Sequence, residues 1–308
     1  MSDKLTIQKI NDIEVKPLKT KNVVVKPARG ADMFTDPYFQ CFILSRKKSG
    51  KSVLISNIVK KCAQPGYTTV ICFSTTVNKD PAWLALKQYC KKKGIDFQGL
   101  TEIVSTDQNG SKRDFLSDFM KMVLKTGNEE VVDSEAEDEA EDSQDEDSQD
   151  DYDSEESDSE PEFYQVNRLK PIKFVQDTPS IKKEYPTIAP QWLLCFDDIS
   201  EELKRPSVQA FLKKSRHLLC SVLIASQDCR DILPACHRQA DAYCLFAGLD
   251  DSVLEKIRRD AGLSVSLETL LKMYRASTAK KFNFFYIDVR NDQFRRNFNE
   301  KFNIISNK

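Results

Sequence analysis

The sequence predicts an α/β fold with a mainly parallel sheet and helices on both faces. Three observations predict it. Short continuous apolar runs alternate with amphipathic runs, as doubly buried strands and the helices that cover them do. The first apolar run leads through a polar loop directly into an amphipathic one. A later run ends in two adjacent aspartates.

Taken in order, Cys41-Phe42-Ile43-Leu44 reads as a strand and Ser45 to Ser49 as a loop. Gly50-Lys51-Ser52 then opens a helix with Val53, Leu54, Ile55, Ile58 and Val59 as its apolar residues. Thr68 to Ser74 is a second buried strand. Asp80-Pro81 starts a helix to about Lys93, with Pro at the first helical position. Phe115, Leu116, Phe119, Met120, Val123 and Leu124 have helical spacing and predict a helix over 112–125. Gln191 to Phe196 is a strand ending in Asp197-Asp198. A helix at 206–214 precedes the strand Leu218 to Ala225, which ends at Ser226-Gln227. Ala242 to Phe246 is a further strand, followed by helices at 250–259 and 267–275, the latter with Ser266 as N-cap. A last strand spans 281–289. Ahead of all these, 1–37 holds two short β-prone pieces, at 13–15 and 23–25, and reads as an N-terminal extension or edge hairpin.

Charge divides the chain differently. Of 48 acidic residues, 20 fall between Glu129 and Glu162, where no Lys or Arg occurs. All 46 basic residues lie elsewhere, against 28 acidic ones, a formal +18. The segment 129–162 contains the repeat EDSQD-EDSQD and has too little apolar surface to offset the entropy of ordering, so it is expected to be a disordered insert. It splits one domain into a first part, 38–128, and a second part, 163–308. Ser134, Ser143, Ser148, Ser157 and Ser159 each have an acidic residue three positions on, which suits an acidophilic kinase. The insert either competes with a polyanion for the basic body, recruits a basic partner, or is a solubilising surface insertion.

The basic body points to nucleic acid, although lysine-rich surfaces are also merely soluble. Nine cysteines without a CxxC pair, several within strand runs, suit small buried hydrophobes in a reducing compartment. Cys229, Cys236 and His237 make an incomplete set for zinc. Two histidines in the chain disfavour His-based catalysis. The N-terminus lacks an apolar signal core and no apolar run is long enough to cross a bilayer, so a soluble intracellular protein is expected.

Strand, polar loop, helix is the setting in which Gly-Lys-Ser binds phosphate. Loop N–H groups and the helix N-terminus face the anion, the Lys51 ammonium reaches the β/γ-phosphates, and the Ser52 hydroxyl ligates Mg²⁺. A chance surface tripeptide is the alternative. Ser45 stands where the loop pattern asks for its first Gly, which would strain it if φ there were positive. Asp197-Asp198 at a strand end can hold a metal and polarise water, or serve as a helix cap and its flank. Gln227 at another strand end can sense a γ-phosphate, and strand C-terminal ends converge on the ligand in such sheets. Together these predict a P-loop NTPase fold.

Gly50–Ser52, Phe196–Asp198, and Arg216-His217 leading to Ser226-Gln227 resemble the FtsK/HerA superfamily. Within it the chain is most similar to the poxvirus-type DNA-packaging ATPases of large DNA viruses and related mobile elements. Further matches are Ser74-Thr75-Thr76 with Asp80-Pro81, the Leu233-Pro234 turn, Arg238 before Asp241, and Asp288 with Phe294-Arg295, so the resemblance covers roughly 38–125 and 188–301. It implies an ASCE/RecA-like, Mg²⁺-dependent ATPase that forms a homo-oligomeric ring and translocates double-stranded DNA, commonly into a capsid. Capsid proteins would be partners, without a membrane, in host cytoplasm or nucleus or in the virion. Carried over, Ser45, Lys48, Ser49, Gly50, Lys51 and Ser52 bind the nucleotide; Ser52 and Asp197 hold the metal; Asp198 polarises water and Gln227 senses the γ-phosphate. Arg216 is the arginine-finger candidate, with Arg230 and Arg238 as substitutes and a helix-end Arg as the plain reading. A helicase or conjugation-type ATPase, a non-hydrolysing nucleotide-binding scaffold and a structural DNA-binding protein are the alternatives.

Overall fold

The computed structural model describes residues 26–106, 110–132 and 187–303. In chain order the elements are β1 (Gln40–Leu44), α1 (Lys51–Cys62), β2 (Thr69–Ser74), α2 (Pro81–Lys93), β3 (Asp96–Leu100), β4 (Val104–Thr106), β5 (Lys112–Asp114) and α3 (Phe115–Val132). The second part adds β6 (Trp192–Asp197), α4 (Ser200–Leu203), α5 (Pro206–Lys214), β7 (Cys220–Ser226), a 3₁₀ turn at Cys229–Asp231, and α6 (Pro234–His237). It ends with β8 (Ala242–Phe246), α7 (Asp251–Asp260), α8 (Leu267–Thr278), β9 (Phe284–Asp288), β10 (Gln293–Arg296) and β11 (Glu300–Lys301).

One sheet runs β3-β2-β6-β7-β1-β8-β9-β10-β11. From β3 to β8 every pairing is parallel, while β9, β10 and β11 join antiparallel. The last predicted strand is therefore real, but it is shorter than 281–289 and reversed. Parallel strands buried on both faces explain the unbroken apolar runs. In β1, Phe42 and Leu44 enter a core covered by α3, α5, α7 and α8, while Cys41 and Ile43 enter a second core under α1 and α2. This two-residue alternation is how one strand serves two cores.

The helix predicted over 112–125 begins later and runs further. Lys112–Asp114 pairs with Val104–Thr106 instead, and Asp114 Oδ1 accepts the Ser117 N–H at 3.0 Å, capping α3 at its start. α3 continues to Val132. Of the segment 1–37, the described part packs onto the domain: Met33 and Phe34 are buried, the Phe34 ring stacks 3.7 Å from that of Phe39, and Tyr286 Oη donates to Met33 O at 2.8 Å. The pieces at 13–15 and 23–25, and residues 133–186 with the acidic repeat, lie outside the described residues; residues 129–132, expected to open the disordered insert, instead form the last turn of α3. All nine cysteines are free and buried. Among the described residues, no helix is long and apolar enough to cross a membrane.

Candidate nucleotide site

Register builds the site. Leu44 of β1 stands beside Ser226 of β7, and Ala225 of β7 beside Asp197 of β6. The three strands thus end level, and Ser45, Gln227 and Asp198 each leave the sheet at the same edge. The helix α1 starts from that edge, so Lys51 and Ser52 face the two aspartates.

The loop carries its backbone demands on other residues than expected. Ser45 is fully buried, its N–H donates to Ser226 O at 3.1 Å, and its φ is not positive. Left-handed backbone falls instead on Lys48, at φ 61°, and on Gly50, at φ 103°. Only Gly takes the latter without steric cost. Ser49 Oγ donates to Arg46 O at 2.8 Å, closing the turn. The Arg46 side chain lies over Gly248, where a Cβ would come within 2.7 Å of its Nε.

Lys51 is 7% exposed, and its Nζ lies 2.5 Å from Asp198 Oδ1. Asp198 itself is bent out at φ 51°, with its side chain 40% exposed. Ser52 Oγ donates to Asp197 Oδ2 at 3.2 Å. Burial, first, and then the neighbouring Asp198 charge push the Asp197 carboxyl up to about 6, against the pull of Lys51, the Ser52 hydroxyl and the Trp83 indole. Asp197 Oδ1 and Trp83 Nε1 are both buried, and the indole N–H is turned toward the Asp197 carboxyl without closing a full hydrogen bond. A buried carboxylate oxygen lacking a partner beside a serine hydroxyl is a donor set suited to a hard divalent cation such as Mg²⁺.

Gln227 is exposed at this edge, immediately past β7. Behind it, Asp231 Oδ2 accepts from Ser200 Oγ at 2.7 Å and from Ser226 Oγ, tying the segment after β6 to the segment after β7. Neither Asp231 nor Trp83 was singled out from the sequence; both act through contacts between distant segments.

Arg216 is not brought to this edge. It precedes β7, at the opposite end of the parallel strands, and pairs with Asp241, whose carboxylate also lies 3.7 Å from Arg290. There it lines a cavity of about 360 Å³ with Lys213, His217 and Arg238. Arg230 does lie at the phosphate-loop edge, its guanidinium held 2.6 Å from Asp228. His237 is buried, its Nε2 3.0 Å from Cys229 O and its Nδ1 3.2 Å from Tyr243 Oη.

A parallel sheet in which the Gly-Lys-Ser strand and the Asp-Asp strand flank a strand ending in Gln has the P-loop NTPase fold, ASCE/RecA-like in strand order. Among solved structures the chain is similar to the genome packaging NTPase B204 from Sulfolobus turreted icosahedral virus 2. Its complex with ATPγS gives a TM-score of 0.43 at 15% identity, covering 85% of this chain and 98% of that one. The AMP complex gives 0.45 at 14%, with the same coverage. B204, the DNA-packaging ATPase from Sulfolobus turreted icosahedral virus, gives 0.42 at 15%, covering 85% and 97%. No family model and no curated protein matches the chain.

Proposed function

We propose that the chain is an ATP hydrolase that drives double-stranded DNA, most specifically a viral genome-packaging motor working as a homo-oligomeric ring. The observation that carries the hydrolase reading is the pairing of Lys51 with Asp198 and of Ser52 with Asp197 at level strand ends. The DNA reading is supported by the +18 balance outside the acidic segment and by the packaging role named for the similar B204 structures. Ring assembly and docking to capsid proteins belong to the same proposal.

In this reading Ser52 and Asp197 would hold Mg²⁺, which would neutralise phosphate charge when bound. The loop N–H groups and Lys51 hold the polyphosphate. As Lys51 turns to the phosphates, the Asp198 carboxylate is released and orients a water in line with the γ-phosphorus. The water oxygen bonds to phosphorus, the bond from phosphorus to the β–γ bridging oxygen breaks, and ADP leaves. The water proton passes through Asp198 to solvent. Gln227 contacts the γ-phosphate, and its presence or departure reaches Ser200 through Ser226 and Asp231. Arg216 would act on a neighbouring subunit's nucleotide, because within one chain it lies at the far end of the sheet.

The test is ATP turnover with and without duplex DNA, measured beside oligomeric state. DNA-stimulated turnover that Lys51→Ala abolishes is the expected result. Intact ATP binding with no turnover would favour the scaffold, and strand displacement without duplex translocation would favour a helicase.

A further inference from the structure

The same edge of the sheet carries a feature that the hydrolytic groups do not use. Phe282 is 60% exposed, although it is large and apolar, and its backbone is left-handed at φ 70°. A phenylalanine rarely adopts that conformation, and such strain persists where the surroundings impose it, often at ligand clamps. The surroundings here are specific. The Phe282 ring lies against the phosphate loop, its Cδ1 3.4 Å from where a Gly50 Cβ would stand. Val53, three residues on from Gly50 and so on the same side of α1, is 56% exposed. Two exposed apolar side chains thus flank the loop.

Their position relative to the carboxylates matters more. Asp197 and Asp198 end β6, two strands from β1 on one side. Phe282 directly precedes β9, two strands from β1 on the other, and the antiparallel pairing of Phe246 with Phe284 brings it to the same edge. At 4.7–4.9 Å between strands, β6 and β9 stand about 10 Å to either side of β1. A nucleoside triphosphate whose γ end reaches the aspartates must extend its nucleoside the other way, toward Phe282.

We infer that Phe282 is the platform on which the nucleobase stacks, with Val53 beside it, and that the site takes purine nucleoside triphosphates through ring contact. This rests on the nucleotide-site reading above. The platform is held in advance of binding. Phe284 N–H donates to Asn297 Oδ1 at 3.1 Å, and Asn297 N–H donates back to Phe284 O at 2.9 Å. Lys281 Nζ lies over one face of the Phe282 ring, 4.8 Å from its centroid, which leaves the opposite face for a base. A phenyl ring has no hydrogen-bonding edge, so it favours purines over pyrimidines by overlap area and does not distinguish adenine from guanine.

The test compares binding of ATPγS, UTP and inorganic tripolyphosphate to the full chain and to Phe282→Ala, Phe282→Trp and Lys51→Ala. Because Phe282 is exposed, its removal opens no core, and equal melting temperatures check this. Phe282→Ala is expected to weaken ATPγS about tenfold or more, in the range that base–aromatic stacking supplies, to weaken UTP less, and to leave tripolyphosphate unchanged. Phe282→Trp should keep ATPγS affinity, with indole fluorescence quenched by ATPγS and not by tripolyphosphate. Unchanged ATPγS affinity in Phe282→Ala, or equal losses for ATPγS and tripolyphosphate, overturns the platform. Loss of all binding in Lys51→Ala alongside an indifferent Phe282→Ala rejects the platform alone. A parent chain that binds neither ATPγS nor tripolyphosphate rejects the nucleotide site with it.

Discussion

Lys51 Nζ lies 2.5 Å from Asp198 Oδ1, although 147 residues of chain separate them. On the proposed mechanism, the ammonium that holds phosphate is here engaged by the carboxylate that orients water. In that mechanism nucleotide takes Lys51 away from Asp198, so each binding event also frees the proposed activating group. Asp198→Asn should therefore bind ATPγS a few-fold more tightly while lowering kcat by roughly 10²–10³-fold, the scale of losing one preorganised catalytic group. Binding titrations beside steady-state turnover measure both. Weaker binding in this variant would contradict the exchange.

Asp197 makes a prediction about pH and stability. Its carboxyl ionises at about 6 in the folded protein and at 3.8 when unperturbed. Between those values the folded chain binds more protons than the unfolded one. Stability from this group is therefore full below about pH 4 and is lost as pH rises through about 6. Asp197→Asn cannot ionise. In metal-free buffer it should melt above the parent at pH 8 and level with it at pH 4, while hydrolysing no ATP. Thermal unfolding at the two pH values checks the sign.

The two ends of the phosphate loop should both lose stability on substitution, but for opposite reasons, added chain freedom at one and backbone strain at the other. Ser45 has no positive φ, so Ser45→Gly relieves nothing. It should cost about 0.5–1 kcal/mol of stability through added chain entropy and leave turnover no faster. Gly50 is left-handed, and Gly50→Ala places a Cβ 3.4 Å from Phe282. It should cost about 1–2 kcal/mol in backbone strain and weaken ATPγS as well. Urea unfolding with nucleotide titration tests both.

Arg216 faces away from its own phosphate loop. If it acts on a neighbour, Arg216→Ala and Lys51→Ala should each be inactive alone and partly active when mixed, because one mutant supplies an intact loop and the other an intact arginine. No recovery in mixtures that co-assemble would assign Arg216 to its Asp241 pair alone.

The central strands were legible because burial on both faces writes an uninterrupted apolar run, as in Phe42 to Leu44 or Trp192 to Phe196. The candidate site was legible where chemistry concentrates in adjacent residues, Gly50-Lys51-Ser52 and Asp197-Asp198. Strand β3 was not, since Asp96, Gln98 and Gly99 read as loop; it pairs on one side only and needs little apolar surface. Strand β10 hides similarly behind Gln293, Arg295 and Arg296. Lys112 to Asp114 merged with the helix after it because no breaker intervenes. Phe282 gave no sign, since its exposure and its place beside Gly50 exist only once β9 has paired with β8.

The level ending of β1, β7 and β6 also dictates when the machinery can exist during synthesis. The phosphate loop leaves the ribosome early, but Asp197 and Asp198 follow only well past the chain's midpoint, and Gln227 later still. Closing so long a loop is slow compared with making local contacts. A nascent chain halted before Trp192 would lack β7 and β8, the two strands that flank β1, so the phosphate loop would have no sheet edge to leave from and the proposed cradle and acids form together or not at all.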